Sequence, residues 1–197
     1  MYGEDGKLLG EYDNTGTLIA EHVYLQETPI AVLKPAGAYL IQADHLNTPR
    51  AILGASNALV WKWDSDAFGT TAANENPSAL GAFNYNLRFP GQYYDKETAN
   101  HYNYFRDNYN PKIGRYMQSD PIGLLGGINT FGYVGGNPLK YTDPFGLAEY
   151  LGIGNIVSHL EIVARMQYGE ITSRDCGDAQ ASGGPTISAQ DPLIARA

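Results

Sequence analysis

From its first residues the chain sets short apolar runs between polar turns. "KLLGEY" follows Asp5-Gly6, and "TLIAEHVYL" follows Asp13-Asn14-Thr15-Gly16. Asp-Gly and Asn-x-Gly turns between alternating apolar residues are hairpin signals. The alternation continues through "IAVLKPAGAYLIQADHL", "RAILGASNALVWKWDSDAFG" and "NYNLRFPGQYYDKETANHYNYFRDNYNPKIGRYM". Each segment reads as strand of about four to eight residues bounded by Gly, Asn, Asp or Pro, which predicts a mainly β array without βαβ units.

After Leu147 the period changes. Ile153, Ile156, Val157, Leu160, Val163 and Ala164 recur at helical spacing and predict an amphipathic helix over about 153–168. Beyond it, "TSRDCGDAQASGGPTISAQDPLIARA" is small and polar, a composition expected to stay disordered. The chain is therefore expected to divide at 147 into a β-rich body and a dissimilar tail.

Composition sharpens this picture in three places. Among 197 residues, 43% are hydrophobic, enough for a core, and Tyr 15, Gly 23 and Pro 11 favour strands and turns over helices. A formal net charge of −8 argues against a nucleic-acid surface across the β body. Cys176 is the single cysteine, so no intrachain disulfide framework is available; in a polar segment with no base beside it, it reads as an incidental thiol. "MYGEDGKLLGEYDNTG" carries charge and glycine where a signal peptide needs an apolar core, and no stretch approaches a membrane span. Localisation stays open.

The chemistry-bearing residues are few. His22, His45, His101 and His159 fall on separate segments with no HxH or HxxxH pairing, so neither metal nor cofactor is expected. His45 in "ADHLNTPR" reads as a turn hydrogen-bonder. His159, Glu161 and Arg165 read as the solvated side of the tail helix. "GLLGGI" lacks the lysine and the strand-to-helix context of a phosphate-cradling loop. Trp61, Trp63 and the tyrosines of "QYYDKETANHYNYF" alternate as inward-packing aromatics would, with a sugar platform as the competing reading.

Two segments repeat, DPIGL and DPFGL, with aspartates at 120 and 143. Asp opens a turn and Pro sets the next φ, so each segment could be architecture alone. Hydrolysis of a peptide by aspartates needs two carboxyls close enough that one stays ionised as general base while the other, kept protonated, acts as acid. "LLGGINTFGYVGGNPL" between the two copies has enough Gly and Asn to turn back and bring them together. Asp143 also lies four residues before the Leu147–Ala148 bond, so a turn through Pro144-Phe145-Gly146 could fold Leu147 towards its carboxyl.

The Tyr-Asp turns, "ADHLNTPRAI" and the ordered series PGQYYD, GRY, SDPIGL, NPLKY and DPFGL resemble the RHS/YD-repeat family. Residues 1–88 resemble its β-strand repeats and 89–147 its repeat-associated core domain, which leaves 148–197 as the variable tail. The resemblance implies a hollow β-shell around a C-terminal toxin, with the core domain plugging one end. It also implies an aspartate-dependent autoprotease that cuts after the Leu of the second DPxGL, here between Leu147 and Ala148, with Asp120 and Asp143 as the acid/base pair. A supporting arginine maps best to Arg106, five residues before Pro111 where the family spacing is four; Arg115 is the alternative. The partners so implied are upstream RHS repeats, secretion machinery, an immunity protein and carbohydrate. Two other readings stand beside it: a non-catalytic scaffold, and an orphaned fragment whose open sheet edges are prone to aggregation.

Overall fold

The computed structural model describes residues 1–106, 108–147 and 150–151. The expected helix over 153–168, Ala148, His159, Glu161, Arg165 and Cys176 lie outside them.

Six antiparallel strands follow one another in a meander: β1 (Gly10–Tyr12), β2 (Leu18–Leu25), β3 (Thr28–Lys34), β4 (Gly37–Ala43), β5 (Pro49–Leu53) and β6 (Leu59–Lys62). Their register pairs His22 with Val32, Val32 with Tyr39, Ile41 with Ile52, and Ile52 with Trp61. One face therefore carries Ala20, Val32, Ile41, Ile52 and Trp61 into the core, as a two-residue period requires.

The connections reuse one device. In Asp13–Thr17, Asp44–Thr48 and Asp66–Thr70 the aspartate Oδ1 accepts the N–H groups two and four residues on, at 2.8–3.2 Å. The fourth position takes a left-handed backbone, filled by Gly16 (φ 82°), Asn47 (φ 65°) and Gly69 (φ 84°), residue types that tolerate it. The repeat legible as hairpin signals is thus an Asp-x-x-Gly/Asn-Thr turn, with the aspartate replacing a backbone partner.

Past Trp63 the strands shorten sharply. A second sheet, ordered β10-β9-β8-β7, consists of β7 (Tyr93–Tyr94), β8 (His101–Tyr102), β9 (Tyr109–Asn110) and β10 (Arg115–Tyr116). A last pair joins β11 (Tyr141–Thr142) to β12 (Tyr150–Leu151). The expected strands of four to eight residues are thus corrected to two here, because Pro, Gly and Asp turns interrupt the chain every few residues. Interleaved rings hold this region instead: Tyr109, Tyr116 and Tyr133 are mutual neighbours, with centroids 4.5–5.8 Å apart. Trp61 and Trp63 are wholly buried in the same core, so neither offers a face to a sugar ring. His45 places Nε2 3.2 Å from the distant Leu139 carbonyl rather than bonding within its own turn.

Candidate functional site

Both DPxGL segments form aspartate-capped turns, and the aspartate of each is buried. Asp120 Oδ1 accepts the Ile122 N–H (3.0 Å), and Asp143 Oδ1 accepts the N–H groups of Gly146 (2.8 Å) and Leu147 (2.9 Å). Asp120 is 7% exposed, Asp143 3% and Leu147 1%, whereas a turn of this composition ordinarily lies at the surface. The second turn follows directly on β11.

Arg106 links the two turns. Its guanidinium meets Asp120 Oδ2 at 3.1 Å, reaches the Gly146 carbonyl at 3.5 Å, and donates to the carbonyls of Gln118 (2.9 Å) and Thr130. It lies 3.8 Å over the Tyr116 ring and is 2% exposed. Of the two candidate arginines the structure therefore brings Arg106 to the aspartates. Arg115 is exposed and stacks on Phe131 at 5.9 Å.

Asp143 is held from three sides. The Tyr116 hydroxyl lies 3.1 Å from its Oδ2 and 3.2 Å from Asn103 Oδ1, while Asn103 Nδ2 donates to the Asp143 carbonyl at 2.7 Å. The backbone of the turn is clasped as well: a Cβ on Gly91 of the PGQ turn would fall 1.7 Å from the Pro144 carbonyl oxygen. Only a glycine permits that approach.

Burial pushes the Asp120 carboxyl up from its usual range, outweighing the Ile122 hydrogen bond and the Arg106 charge that favour ionisation. The same burial lowers Arg106, with Asp120, Tyr116 and Asp143 opposing it; the guanidinium remains a cation. Desolvation thus exceeds mutual attraction for both partners. Tyr116 is raised well above its ordinary value, first by burial and then by Asp143, so its hydroxyl is a donor at any working pH.

Arg106, Asp120 and Asp143 border a cavity of about 340 Å³ whose far wall includes Gly126, Ile128 and Val134. That volume admits water. A Cβ on Gly126 would be 2.4 Å from Asp120 Oδ2 and 2.6 Å from Leu147 O, so both atoms border the space beside this glycine. The arrangement gathers a buried carboxyl, a second carboxylate with fixed donors, a guanidinium and a peptide carbonyl around one small space. Tyr116 lies in GRY and Gly126 in GLLGGI, but nothing in either motif points to the site, and Asn103 lies in no such motif; each belongs to the site through a contact that only the fold creates. Among the described residues no three His, Cys, Asp or Glu are grouped as a metal would need, and His22 and His101 instead meet Glu11 and Gln92.

The teneurin YD-shell family model matches residues 8–125. YibJ of Escherichia coli K12 is 39% identical over 111 residues, covering 56% of this chain and 46% of that protein. The double-stranded DNA deaminase toxin A of Burkholderia cenocepacia is 29% identical over 168 residues, 75% of this chain and 12% of the toxin. Toxin protein Tse5 of Pseudomonas aeruginosa is 35% identical over 118 residues, 60% and 8% respectively. The chain therefore spans under half of one relative and about a tenth of the two toxins. In the fold comparison, the TcdB2-TccC3-TEV crystal structure superposes over 69% of this chain and 7% of its own, with a TM-score of 0.55 at 22% identity. TcdB2-TccC3 without its hypervariable C-terminal region gives 0.52 over 65% of this chain and 6% of its own, at 22% identity. At such identities the likeness establishes the β-shell fold.

Proposed function

Because this chain belongs to the teneurin YD-shell family, the RHS/YD-repeat shells, we propose that it is the closing part of a toxin shell and severs its own tail once, at Leu147–Ala148. Residues 1–88 supply shell strands, 89–147 the plug, and 148 onwards the cargo; the partner is the upstream repeat sequence that completes the shell. The observation that carries the reading is the pose of Leu147. It is buried, its N–H is held by Asp143, and its carbonyl oxygen and Asp120 Oδ2 both lie beside Gly126.

In this reading Asp120, which burial pushes towards its protonated form, donates to the Leu147 carbonyl oxygen. Asp143 takes a proton from a cavity water as the water oxygen bonds to the carbonyl carbon. Arg106 stabilises the charge that develops on Asp120. Collapse of the tetrahedral adduct breaks the C–N bond, and the Ala148 nitrogen leaves as an amine with the proton that Asp143 had taken. Asp120 is reprotonated as the Leu147 carboxylic acid forms, and that acid passes its proton to the new amine. A substrate supplied by the enzyme's own loop makes the event a single turnover.

Intact-mass measurement on freshly expressed, neutral-pH protein tests this. Two species split at Leu147–Ala148, lost in Asp143→Asn, are expected; one uncut mass in folded protein refutes it. Samples stay neutral because Asp-Pro bonds are acid-labile. A scaffold reading has its own support, since Asp120 and Asp143 each cap their own turn in the way architecture alone would require; the uncut outcome would establish it.

A further inference from the structure

We propose that Gly126 is a positioning residue whose missing side chain keeps open the gap across which the Asp120 carboxyl addresses the Leu147 carbonyl, an inference that rests on the self-cleavage reading. Gly126 closes the short 3₁₀ turn Gly123–Gly126, which follows directly on DPIGL. It is absent from the positions with left-handed backbone, so an alanine could adopt its conformation. What excludes a side chain is contact. A Cβ there would stand 2.4 Å from Asp120 Oδ2, 3.0 Å from Asp120 Cγ and 2.6 Å from Leu147 O.

Neither neighbour can yield without loss. Asp120 is pinned at both oxygens, Oδ1 by the Ile122 N–H and Oδ2 by the Arg106 guanidinium. Leu147 O is a backbone atom whose residue is tethered through its N–H to Asp143 Oδ1 at 2.9 Å. A methyl group in the gap must therefore either drive Asp120 off Arg106 or lift Leu147 off Asp143. It would also stand in the path from the carboxyl proton to the carbonyl oxygen. The GG of "GLLGGI" thus has separate requirements at its two positions: Gly127 has φ 134°, a backbone demand, and nothing lies near its absent Cβ, whereas Gly126 is glycine for space.

The test is Gly126→Ala in the full chain at neutral pH, with the rate of appearance of the Leu147 C-terminus read by mass spectrometry. Misplacement of a reacting group by about 1 Å costs about 10²-fold in rate, so a fall of at least about that size is expected, in protein whose near-UV circular dichroism matches wild type. Cleavage by Gly126→Ala within a few-fold of wild type overturns the inference while leaving the self-cleavage reading intact. An uncut wild type instead overturns that reading. Should Gly126→Ala fail to fold, a second measurement decides. With ¹³C at the Leu147 carbonyl in the uncut Asp143→Asn protein, the resonance is expected to titrate with a carboxyl and to stop titrating when Asp120→Asn is added. A pH-independent carbonyl would show that the two groups do not address one another, and the inference would fall.

Discussion

Arg106 offers the most direct energetic test of how this site is held together. Truncation to alanine removes the guanidinium that reaches Asp120 and exposes five losses together. Asp120 keeps a buried carboxyl without its cation, and the carbonyls of Gln118, Thr130 and Gly146 lose a donor. The face of Tyr116 loses a cation at 3.8 Å. Arg106 is 2% and Asp120 7% exposed, so only water of the adjoining cavity is at hand to take the place of the missing partner. Breaking a buried pair by removing one member costs about 3–5 kcal/mol. For a chain of this length that corresponds to a melting temperature lower by roughly 6–20 °C.

Thermal unfolding in the Asp143→Asn background, which keeps the chain in one piece, supplies the measurement. A double-mutant cycle with Asp120→Asn and Arg106→Met then separates the pair from its surroundings. Because Asn retains an oxygen for the Ile122 N–H and Met retains bulk over Tyr116, the double variant is expected to lose less than the two single losses together, by about 1–3 kcal/mol. A loss below about 1 kcal/mol for Arg106→Ala would refute the reasoning, as would a cycle with no coupling. Either result would mean that the guanidinium is solvated or that Asp120 is held by its turn alone.

Two further outcomes follow from the fold. Gly16→Ala should lower stability by about 1 kcal/mol in urea unfolding, since φ is 82° there and its Cβ would meet nothing, leaving backbone strain as the whole effect; an unchanged midpoint would contradict the turn geometry. His101 is pushed down to about 3 by burial and by Arg88, so it folds neutral and its contribution is intact above about 6.5 and lost as pH falls towards 3. His101→Gln should flatten that acid slope by up to about 1.4 kcal/mol per pH unit, and an imidazole titrating near 6.5 by NMR in the folded protein would disprove the burial.

The first six strands were legible because each has one buried face. Ala20, His22, Val32, Ile41, Ile52 and Trp61 alternate with exposed neighbours, and alternation is visible without knowing what lies opposite. Over residues 89–117 the same reading gave strands that are too long. Their paired segments are two residues long, and their order comes from rings and an arginine converging from separate turns, a three-dimensional relation with no period in the sequence. The aspartates could be nominated because their turns repeat. Arg106 entered through a family resemblance, against an irregular spacing. Asn103 had no motif to mark it, and GRY and GLLGGI gave Tyr116 and Gly126 no site role, since the three act through an amide, a hydroxyl and an absence of atoms.

The burial of Asp120 bears on the choice between shell and shell-with-chemistry. Asp13, Asp44 and Asp66 make the same kind of turn in exposed or half-buried positions, where capping requires little desolvation. If Asp120 served only to cap DPIGL, that cheaper arrangement was available within this very chain. Instead its carboxyl is carried into the interior, raised above its ordinary range, and given a guanidinium that does not fully offset the loss of water. Buried ion pairs are often less stable than apolar replacements of similar volume, so stability is a poor reason for this one. A carboxyl that must pass a proton to a peptide carbonyl is served by burial that raises it from its ordinary range. The cycle at Arg106 and Asp120 therefore reads two things: a strong coupling shows that the pair is buried as described, and loss of cleavage in variants that remain folded shows what the burial is for.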